Sequence, residues 1–170
     1  GRFRAHRFHN LTTGQPALAV AAGRLGGRAP VLARVHSSCV TSEVYGACDC
    51  DCAEQLDAAL AAIARAGRGV LFYLTQEGRG AGFAAKARDR MLVQASRHRL
   101  TTFDAYERLG LGHDQRRYDE VAAACRLLGI TAPEGRRAER AARPQGLDPT
   151  AALDRVRQSD RERGGRVWFL

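Results

Sequence analysis

The sequence of 170 residues predicts an α/β fold, and three observations point to it. Short β-rich runs separated by turn residues occupy the first part of the chain. A helical pattern then leads into an apolar strand, and two further helical patterns follow a glycine-rich turn. Strands that alternate with helices are typical of a sheet covered by helices. We expect one domain with a real core at residues 1–130, and a divergent tail at 131–170 that packs on the same domain or is partly mobile.

The first three predicted strands lead towards the part of the sequence that is richest in reactive side chains. Residues 1–27 are predicted to form two strands around a turn, and residues 16–21 are the second, apolar strand. A short β-rich run at residues 30–35 predicts a third strand. This strand delivers His36 and Cys39 to its end.

The next elements are a helix, a buried strand and a loop. Leu56, Leu60 and Ile63 recur at helical spacing, and residues 69–74 are apolar throughout. The strand runs directly into the glycine-rich turn at residues 76–82. Such a turn lets backbone approach a ligand closely, and a helix N-terminus after it favours an anion. Taken alone this signal is weak, because many glycine-rich loops are only tight turns.

Two more helices are predicted after that turn. The first covers about residues 83–97 and is strongly basic, and a solvated face is the simplest explanation of its charges. Residues 100–112 are predicted to be a connector, with Asp114 as the N-cap of the last helix. That helix ends at Gly129, and Cys125 within it is most simply a small core residue.

The tail has a different character from the rest of the chain. Proline and glycine punctuate a stretch rich in arginine, alanine and glutamate, which allows one helix at about residues 149–163. Only residues 165–170 recover a strand-like apolar run.

Charge and hydropathy limit the classes of partner. The net charge is +9, but the basic residues are spread along the whole chain, and 26 of the 27 cationic side chains are arginines. Because no known nucleic-acid-binding motif accompanies them, we expect no polymeric nucleic acid partner; a small polyanion needs only a local cluster of arginines.

No apolar run approaches the length of a membrane span and no signal segment is visible, so we expect a cytoplasmic protein without a membrane partner. Gly1 in place of Met suggests a processed end.

Cysteines supply the most specific chemical signal. Four of the five cysteines fall within fourteen residues, and Cys39, Cys50 and Cys52 have a Cys-x10-Cys-x-Cys spacing that predicts a zinc site. Three thiolates leave the fourth tetrahedral position for water, as in catalytic zinc sites. Cys48 could supply a fourth thiolate and close the site. Disulfides or buried free thiols are the alternatives, but nothing else indicates an oxidising compartment, and Cys125 would be left over.

Four motifs, in this order and at this spacing, resemble the GTP cyclohydrolase II family over about residues 8–130. They are Arg34-Val-His-Ser, then Cys39 and Cys50-Asp-Cys52 followed by Gln55-Leu56, then Gln76-Glu-Gly-Arg79, and finally Asp114-Gln-Arg116. The resemblance implies a mixed sheet with flanking helices in a domain that usually dimerises. It also implies a reaction that opens the imidazole ring of GTP, releases C8 as formate and releases pyrophosphate.

The resemblance implies roles for particular residues. One zinc per chain would be held by the three cysteines of the Cys-x10-Cys-x-Cys spacing, with Cys48 as an extra thiol that the family pattern lacks. Asp114 matches the proton acceptor, and Arg116 matches the arginine proposed to act on the α-phosphate. Mg2+ could accompany the nucleotide phosphates.

The resemblance also implies substrate contacts at ten further positions. Among them, Gln55 and Glu77 are suited to bind the edge of a guanine ring, and Arg79 is suited to bind a phosphate. These positions are Arg34, Val35, His36, Ser37, Ser38, Gln55, Glu77, Gly78, Arg79 and Thr102.

The chain departs from the family pattern in three places. No threonine or lysine in residues 129–137 matches the Thr-Asn-Asn-Pro-x-Lys loop that completes phosphate binding in the family. Arg90 stands where the family has a tyrosine, and Asp49 stands where it has an arginine. These changes remove expected phosphate contacts and leave the expected zinc chemistry intact.

Three alternative functions stand beside a cyclohydrolase that acts on GTP. The chain could be a divergent paralogue that acts on another N-heterocycle in specialised metabolism. It could also be a catalytically inactive nucleotide-binding module with a structural zinc, which coordination by Cys48 would favour. A zinc protein that binds RNA or DNA rests on charge alone.

Overall fold

The computed structural model describes residues 1–11, 14–27 and 31–130 of the chain. Within these ranges one mixed sheet has the spatial strand order β1-β2-β4-β3, where the strands are β1 (Arg4–His9), β2 (Pro16–Ala22), β3 (Leu32–Ser37) and β4 (Gly69–Leu74). The β1·β2 and β2·β4 pairs are antiparallel and the β3·β4 pair is parallel. The predicted α/β fold with a mixed sheet is confirmed.

Helices flank this sheet and connect its strands. They are α1 (Val40–Glu43), α2 (Cys52–Ala66), α3 (Phe83–Ala95), α4 (Thr102–Arg108) and α5 (Asp119–Leu127). Because β3 and β4 are parallel, a long crossover has to join them, and α2 fills it. The C-terminal ends of β3 and β4 therefore meet at one edge of the sheet, where the Ser38 amide donates to the Leu74 carbonyl at 2.8 Å.

Two apolar cores lie on opposite faces of the sheet, because side chains alternate along the central strand β4. Phe72 of β4 packs with Val121 and Cys125 of α5 on one face. Leu71 packs with Ile63 of α2 on the other face. All five side chains are at least 99% buried, so β4 is the buried strand that its apolar run predicts, and Cys125 is the predicted core residue.

The connector predicted at residues 100–112 is wrong, because it contains α4. This helix begins with a capping box in which the Thr101 hydroxyl accepts from the Asp104 amide at 3.2 Å. The Asp104 carboxylate in turn accepts from the Thr101 amide at 2.7 Å. These reciprocal bonds satisfy two amides that have no partner inside the helix, which stabilises a helix of only seven residues.

The predicted N-cap of the last helix is also wrong. Tyr118 precedes the first residue of α5, whereas the Asp114 carboxylate is bound by Arg116. The basic helix α3 ends at Ala95, two residues before the predicted end, because Arg97 adopts a left-handed backbone conformation with φ 55°. The short helix α1 was not predicted.

Several expectations concern residues outside the described ranges. These are the divergent tail as a whole, its helix at 149–163, its strand-like end at 165–170, and most of the segment at 129–137 that lacks the phosphate loop. The domain division at residue 130 accordingly remains a prediction. In the described part of the chain, none of the helices has the length and apolar character needed to span a bilayer.

Candidate active site

Three cysteines converge beyond the end of β3. Cys39 precedes α1, Cys50 lies in the following loop, and Cys52 is the first residue of α2. Their Sγ atoms all lie within 4.8 Å of one another, and Cys39 Sγ and Cys50 Sγ are 3.5 Å apart. Thiolates 2.3 Å from a tetrahedral zinc are about 3.8 Å apart, so the donor set fits that ion. Cys39 and Cys50 are free thiols and not a disulfide in this structure, because sulfur atoms bonded to each other are separated by about 2 Å.

Cys48 lies outside this cluster. Its thiol is exposed and donates to the Gly46 carbonyl at 3.5 Å. The three-thiol arrangement is the one that leaves a coordination position for a reacting group.

Two of the three clustered thiols have pKa values that are shifted in opposite directions. Burial alone would raise the pKa of Cys39, but hydrogen bonds, of which the one from Lys86 is the strongest, lower it to about 7. Burial, together with the neighbouring Cys39 and Cys50 sulfurs, raises the pKa of Cys52 to about 12. A cation that binds here therefore meets one thiol that ionises near neutral pH, and it has to displace a proton from Cys52.

The Glu43 carboxylate fixes the backbone at Cys39 from inside the protein. Glu43 Oε1 accepts from the Cys39 amide at 2.8 Å and lies 2.9 Å from His36 Nε2, while Oε2 accepts from the Tyr73 hydroxyl at 2.5 Å. These bonds keep the pKa of Glu43 below its usual value although burial opposes the shift. His36, which is buried and stacked on Tyr73, thus contacts protein groups at the end of β3.

Lys86 of α3 holds the cysteine from the other side. Its Nζ donates to Cys39 Sγ at 2.8 Å and to Glu77 Oε1 at 2.7 Å. Glu77 Oε2 accepts from the Val40 amide at 2.9 Å, so both carboxylate oxygens of Glu77 have protein partners. The solvated face predicted for the charges of α3 is wrong for Lys86, which is buried. The signal that could have revealed it is compositional, because Lys86 is the single lysine among 27 cationic residues.

The glycine-rich loop after β4 is held in an unusual conformation. Gly78, Arg79 and Gly80 have φ values of 58°, 55° and 88°, a region that glycine enters easily and arginine enters only with strain. The Tyr106 hydroxyl donates to the Gly78 carbonyl at 2.6 Å. The Arg79 guanidinium lies 4.3 Å from the centroid of the Phe103 ring, in cation–π contact. Phe103 directly follows Thr102, the first residue of α4. Its Nη1 is buried without a hydrogen-bond partner.

The segment that contains Asp114 and Arg116 docks on this loop. The Gln115 amide donates to the Arg79 carbonyl at 2.9 Å, and the Gln76 side chain pairs with both the amide and the carbonyl of Arg117 at 2.7 and 2.6 Å. Arg116 Nε and Nη2 contact the Asp114 carboxylate at 2.9 and 2.5 Å. The hydrogen bond from Arg116 lowers the pKa of Asp114, so this carboxylate is ionised at neutral pH.

The remaining residues implied by the resemblance lie along β3 and α2. The exposed Arg34 Nη2 donates to Gln55 Oε1 at 2.6 Å, which joins two of the predicted substrate contacts. Val35 packs against the core on the opposite face of the sheet. Ser37 Oγ is buried and has no hydrogen-bond partner, and the Ser38 amide continues the pairing with β4.

The two departures from the family pattern at positions 49 and 90 contact each other. Arg90 Nε lies 3.3 Å from the Asp49 carboxylate, and Arg90 Nη1 donates to the Asp49 carbonyl at 3.2 Å. The pair ties α3 to the loop that carries Cys50. Its side chains are about one third exposed, at 31% and 38%, so we expect a small contribution to stability.

Gly80 is the position at which the loop tolerates no side chain. A Cβ there would lie 2.7 Å from the Gln115 carbonyl carbon and 2.9 Å from the Arg116 nitrogen, both backbone atoms, whereas a Cβ on Gly82 meets nothing within 4 Å. Gly82→Ala should cost about 1–3 kcal/mol of backbone strain, because a φ of 93° with a ψ of 169° lies in a region that is essentially restricted to glycine. Gly80→Ala should lower the free energy of unfolding by a further 1–3 kcal/mol or so, from overpacking. Urea unfolding of both variants tests this, and equal losses would contradict the contact.

The structure thus connects three of the predicted parts of the site, namely the cysteine cluster, the glycine-rich loop and the segment from Asp114 to Arg116. Val35 is not among them, because it packs on the opposite face of the sheet. Lys86 connects the cysteine cluster to Gly78, whose carbonyl also accepts from Tyr106, and Gly80 contacts the backbone next to Arg116. Among the contacts of the described residues, none joins the Asp114–Arg116 pair directly to a cysteine, and the glycine-rich loop lies between them.

Comparison with known proteins gives a consistent result. A family model described as GTP cyclohydrolase II matches residues 1–133. The chain is 46% identical over 132 residues to a GTP cyclohydrolase-2 of Azotobacter vinelandii, covering 78% of this chain and 62% of that protein. It is 41% identical over 131 residues to a GTP cyclohydrolase-2 of Shewanella amazonensis, covering 77% and 62%. It is 42% identical over 130 residues to a riboflavin biosynthesis protein RibBA of Bacillus mycoides, covering 76% and 32%. The chain spans less than two thirds of each of these relatives.

Proposed function

Because this chain belongs to the GTP cyclohydrolase II family, we propose that it is a zinc-dependent hydrolase that opens the imidazole ring of GTP or a related purine nucleotide. In the proposed reaction one water opens the ring at C8, and a second water hydrolyses the resulting formamide and releases formate. When the substrate is a triphosphate, a third water cleaves the bond between the α- and β-phosphates and releases pyrophosphate. The observation that carries this proposal is the cluster of three thiols beside a loop that carries Arg79 and contacts the Asp114–Arg116 segment.

Cys39, Cys50 and Cys52 would hold the zinc. Their soft sulfur donors suit zinc far better than Mg2+ or Ca2+, and their spacing fits a tetrahedral ion. When bound, such an ion activates water and polarises the atom under attack. Mg2+, if it takes part, would accompany the nucleotide phosphates.

The protein groups around the cluster would bind and orient the nucleotide. Arg34 and Gln55 form one polar edge, and the amide of Gln55 suits a guanine ring. Arg79 presents a buried Nη1 without a hydrogen-bond partner, which suits a phosphate oxygen. Ser37 Oγ is a second buried polar atom without a partner, and a ligand would satisfy it.

Asp114 and Arg116 would act as a unit. The carboxylate is ionised at neutral pH and can accept a proton or a hydrogen bond from the reacting groups. The guanidinium of Arg116 is held in a fixed orientation by two contacts to the same carboxylate, and from there it can stabilise charge on a phosphate.

The direct test is a product assay. Zinc-loaded protein is incubated with GTP, and formate, pyrophosphate and the opened pyrimidine are measured in parallel. We expect formate to appear in equal amount to the pyrimidine, and protein stripped of metal to produce neither. Absence of formate from a protein that binds one zinc per chain would rule out ring opening of GTP.

The arginines of the site provide a second test. Lysine in place of Arg79 or Arg116 keeps the charge but loses the planar fork, so we expect kcat/KM to fall about 10- to 100-fold in each variant. Arg88→Lys, at an exposed position on α3, is the matched control and should leave kcat/KM unchanged. Wild-type rates in both site variants would remove these arginines from the site.

We also propose that the active form is a cytoplasmic homodimer, on the basis of the family resemblance. Sedimentation of the full chain tests this assembly, and a monomer that retains activity would contradict it.

A further inference from the structure

Lys86 is the one buried cation of the site to which neither the sequence motifs nor the proposed reaction gives a role. The chain uses arginine at 26 of 27 cationic positions and lysine only here. Lys86 is buried, and its ammonium group lies between two acceptors from different loops, Cys39 Sγ at 2.8 Å and Glu77 Oε1 at 2.7 Å. A compact ammonium group can donate to both acceptors in a space where a planar guanidinium would not fit without rearrangement.

Lys86 is the charged donor to the Cys39 sulfur. Cys39 Sγ also contacts the Thr41 hydroxyl at 3.7 Å and Cys50 Sγ at 3.5 Å, and the Ser42 backbone amide acts on it as well, but none of these groups carries a positive charge. Three thiolates around a divalent cation leave one excess negative charge. A buried charge of this kind needs a partner of opposite sign, and the Lys86 ammonium group is in contact with it.

Glu77 extends this arrangement to the glycine-rich loop. One of its oxygens accepts from Lys86 and the other accepts from the amide of Val40, the residue after Cys39. The loop residue directly after Glu77 is Gly78, where a Cβ would lie 3.1 Å from Lys86 Cβ and 3.2 Å from the Tyr106 hydroxyl. The cysteine and the loop are therefore connected through one lysine and one carboxylate.

We propose that Lys86 is a positioning residue of the metal site, and that Glu77 acts with it rather than as a reader of the base. Lys86 orients the Cys39 thiolate, offsets the excess negative charge of the three thiolates around the metal, and couples that site to the loop that carries Arg79. This inference rests on the proposed function, in which these thiolates hold zinc.

The test compares Lys86→Met, which keeps the length of the side chain and removes its charge, with Arg88→Met. Arg88 lies on the same helix and is exposed, so this variant removes one positive charge without touching the site. Zinc affinity is measured by competition with a chelator, and the sulfur-to-cobalt charge-transfer band is recorded after substitution with Co2+. We expect Lys86→Met to bind zinc about 10- to 100-fold more weakly, as is typical when an outer-shell partner is lost. Its charge-transfer band should move to lower energy, because a thiolate without the donor holds its electrons less tightly.

A measurement on the wild-type protein covers the case in which Lys86→Met does not fold. The chain has one lysine, so labelling with [ε-15N]lysine yields a single side-chain ammonium signal that needs no assignment. We expect this signal to be visible near neutral pH, because burial slows proton exchange, and to shift when zinc is added to the metal-free protein.

Each result decides the matter. The role of Lys86 would be overturned if Lys86→Met had the same zinc affinity and the same charge-transfer band as Arg88→Met. It would also be overturned if zinc did not shift the ammonium signal of the wild-type protein. In both cases the proposed function would stand. A wild-type protein that binds no zinc would overturn both.

Discussion

Serine in place of Cys39, Cys50 or Cys52 is expected to remove zinc from the protein and to lower turnover by about three orders of magnitude or more. A hydroxyl is a much poorer ligand for zinc than a thiolate, and two thiolates in this loop form an incomplete site. A metal ion of this kind supplies several kcal/mol of transition-state stabilisation, and each 1.4 kcal/mol or so is a factor of ten in rate.

The matched control is Cys48→Ser. Cys48 lies in the same loop but outside the cluster, with an exposed thiol. It should retain one zinc per chain by elemental analysis and wild-type formate production. Loss of metal from Cys48→Ser alone would show that the ligand set is different, and loss from all four variants would indicate a closed four-thiolate site, as in a structural zinc.

The second large effect concerns the phosphates of the substrate. The Thr-Asn-Asn-Pro-x-Lys motif of the family is absent from residues 129–137, and each charge-assisted hydrogen bond that it would provide is worth about 1.5–3 kcal/mol. Loss of two such bonds weakens binding of the triphosphate by about two to four powers of ten. We therefore expect kcat/KM to be nearly flat, or inverted, across GTP, GDP, GMP and guanosine.

A steep preference for GTP would contradict this expectation and would mean that other arginines replace the lost contacts. Arg90 is the candidate for such a replacement among the described residues, and its guanidinium is held by Asp49. The variant Asp49→Asn weakens that ion pair and shows whether Arg90 supplies the replacing phosphate contact. A preference for GTP that becomes steeper in this variant would assign the new contact to Arg90. Turnover of none of the four compounds would favour a different N-heterocyclic substrate.

Local sequence patterns anticipated the elements whose residues carry their own signal. The apolar run of β4 and the alternation of Leu56, Leu60 and Ile63 with alanines depend only on neighbouring residues, and both elements formed where expected. Helix α4 was missed because it is short and half-exposed, so its apolar periodicity is weak. Its Thr101 and Asp104 form a capping box, and that spacing was the available signal.

The site was anticipated less completely, because several of its contacts join distant parts of the chain. Asp114 is a good N-cap by residue type, but a neighbouring arginine competes for its carboxylate and binds it. The contact between Lys86 and Cys39 spans 47 residues, and no local pattern reports it. A basic helix indicates a solvated face on average, and only the packing of α3 against the loop distinguishes Lys86 from Arg88.

The way in which the segment from Asp114 to Arg117 is anchored determines which positions are open to evolutionary change. Gln115 is held through its backbone amide, and Arg117 through its backbone amide and carbonyl, while both side chains are exposed. Substitutions at these two positions can therefore alter the surface beside the site without moving Arg116. Gln76 and Gly80 have no such freedom. The side-chain amide of Gln76 binds the backbone of Arg117, and the backbone of residues 115 and 116 occupies the space that a side chain on Gly80 would need. A lineage that shifts to a new substrate has two permissive positions next to the Asp114–Arg116 pair, and a directed-evolution library would begin there.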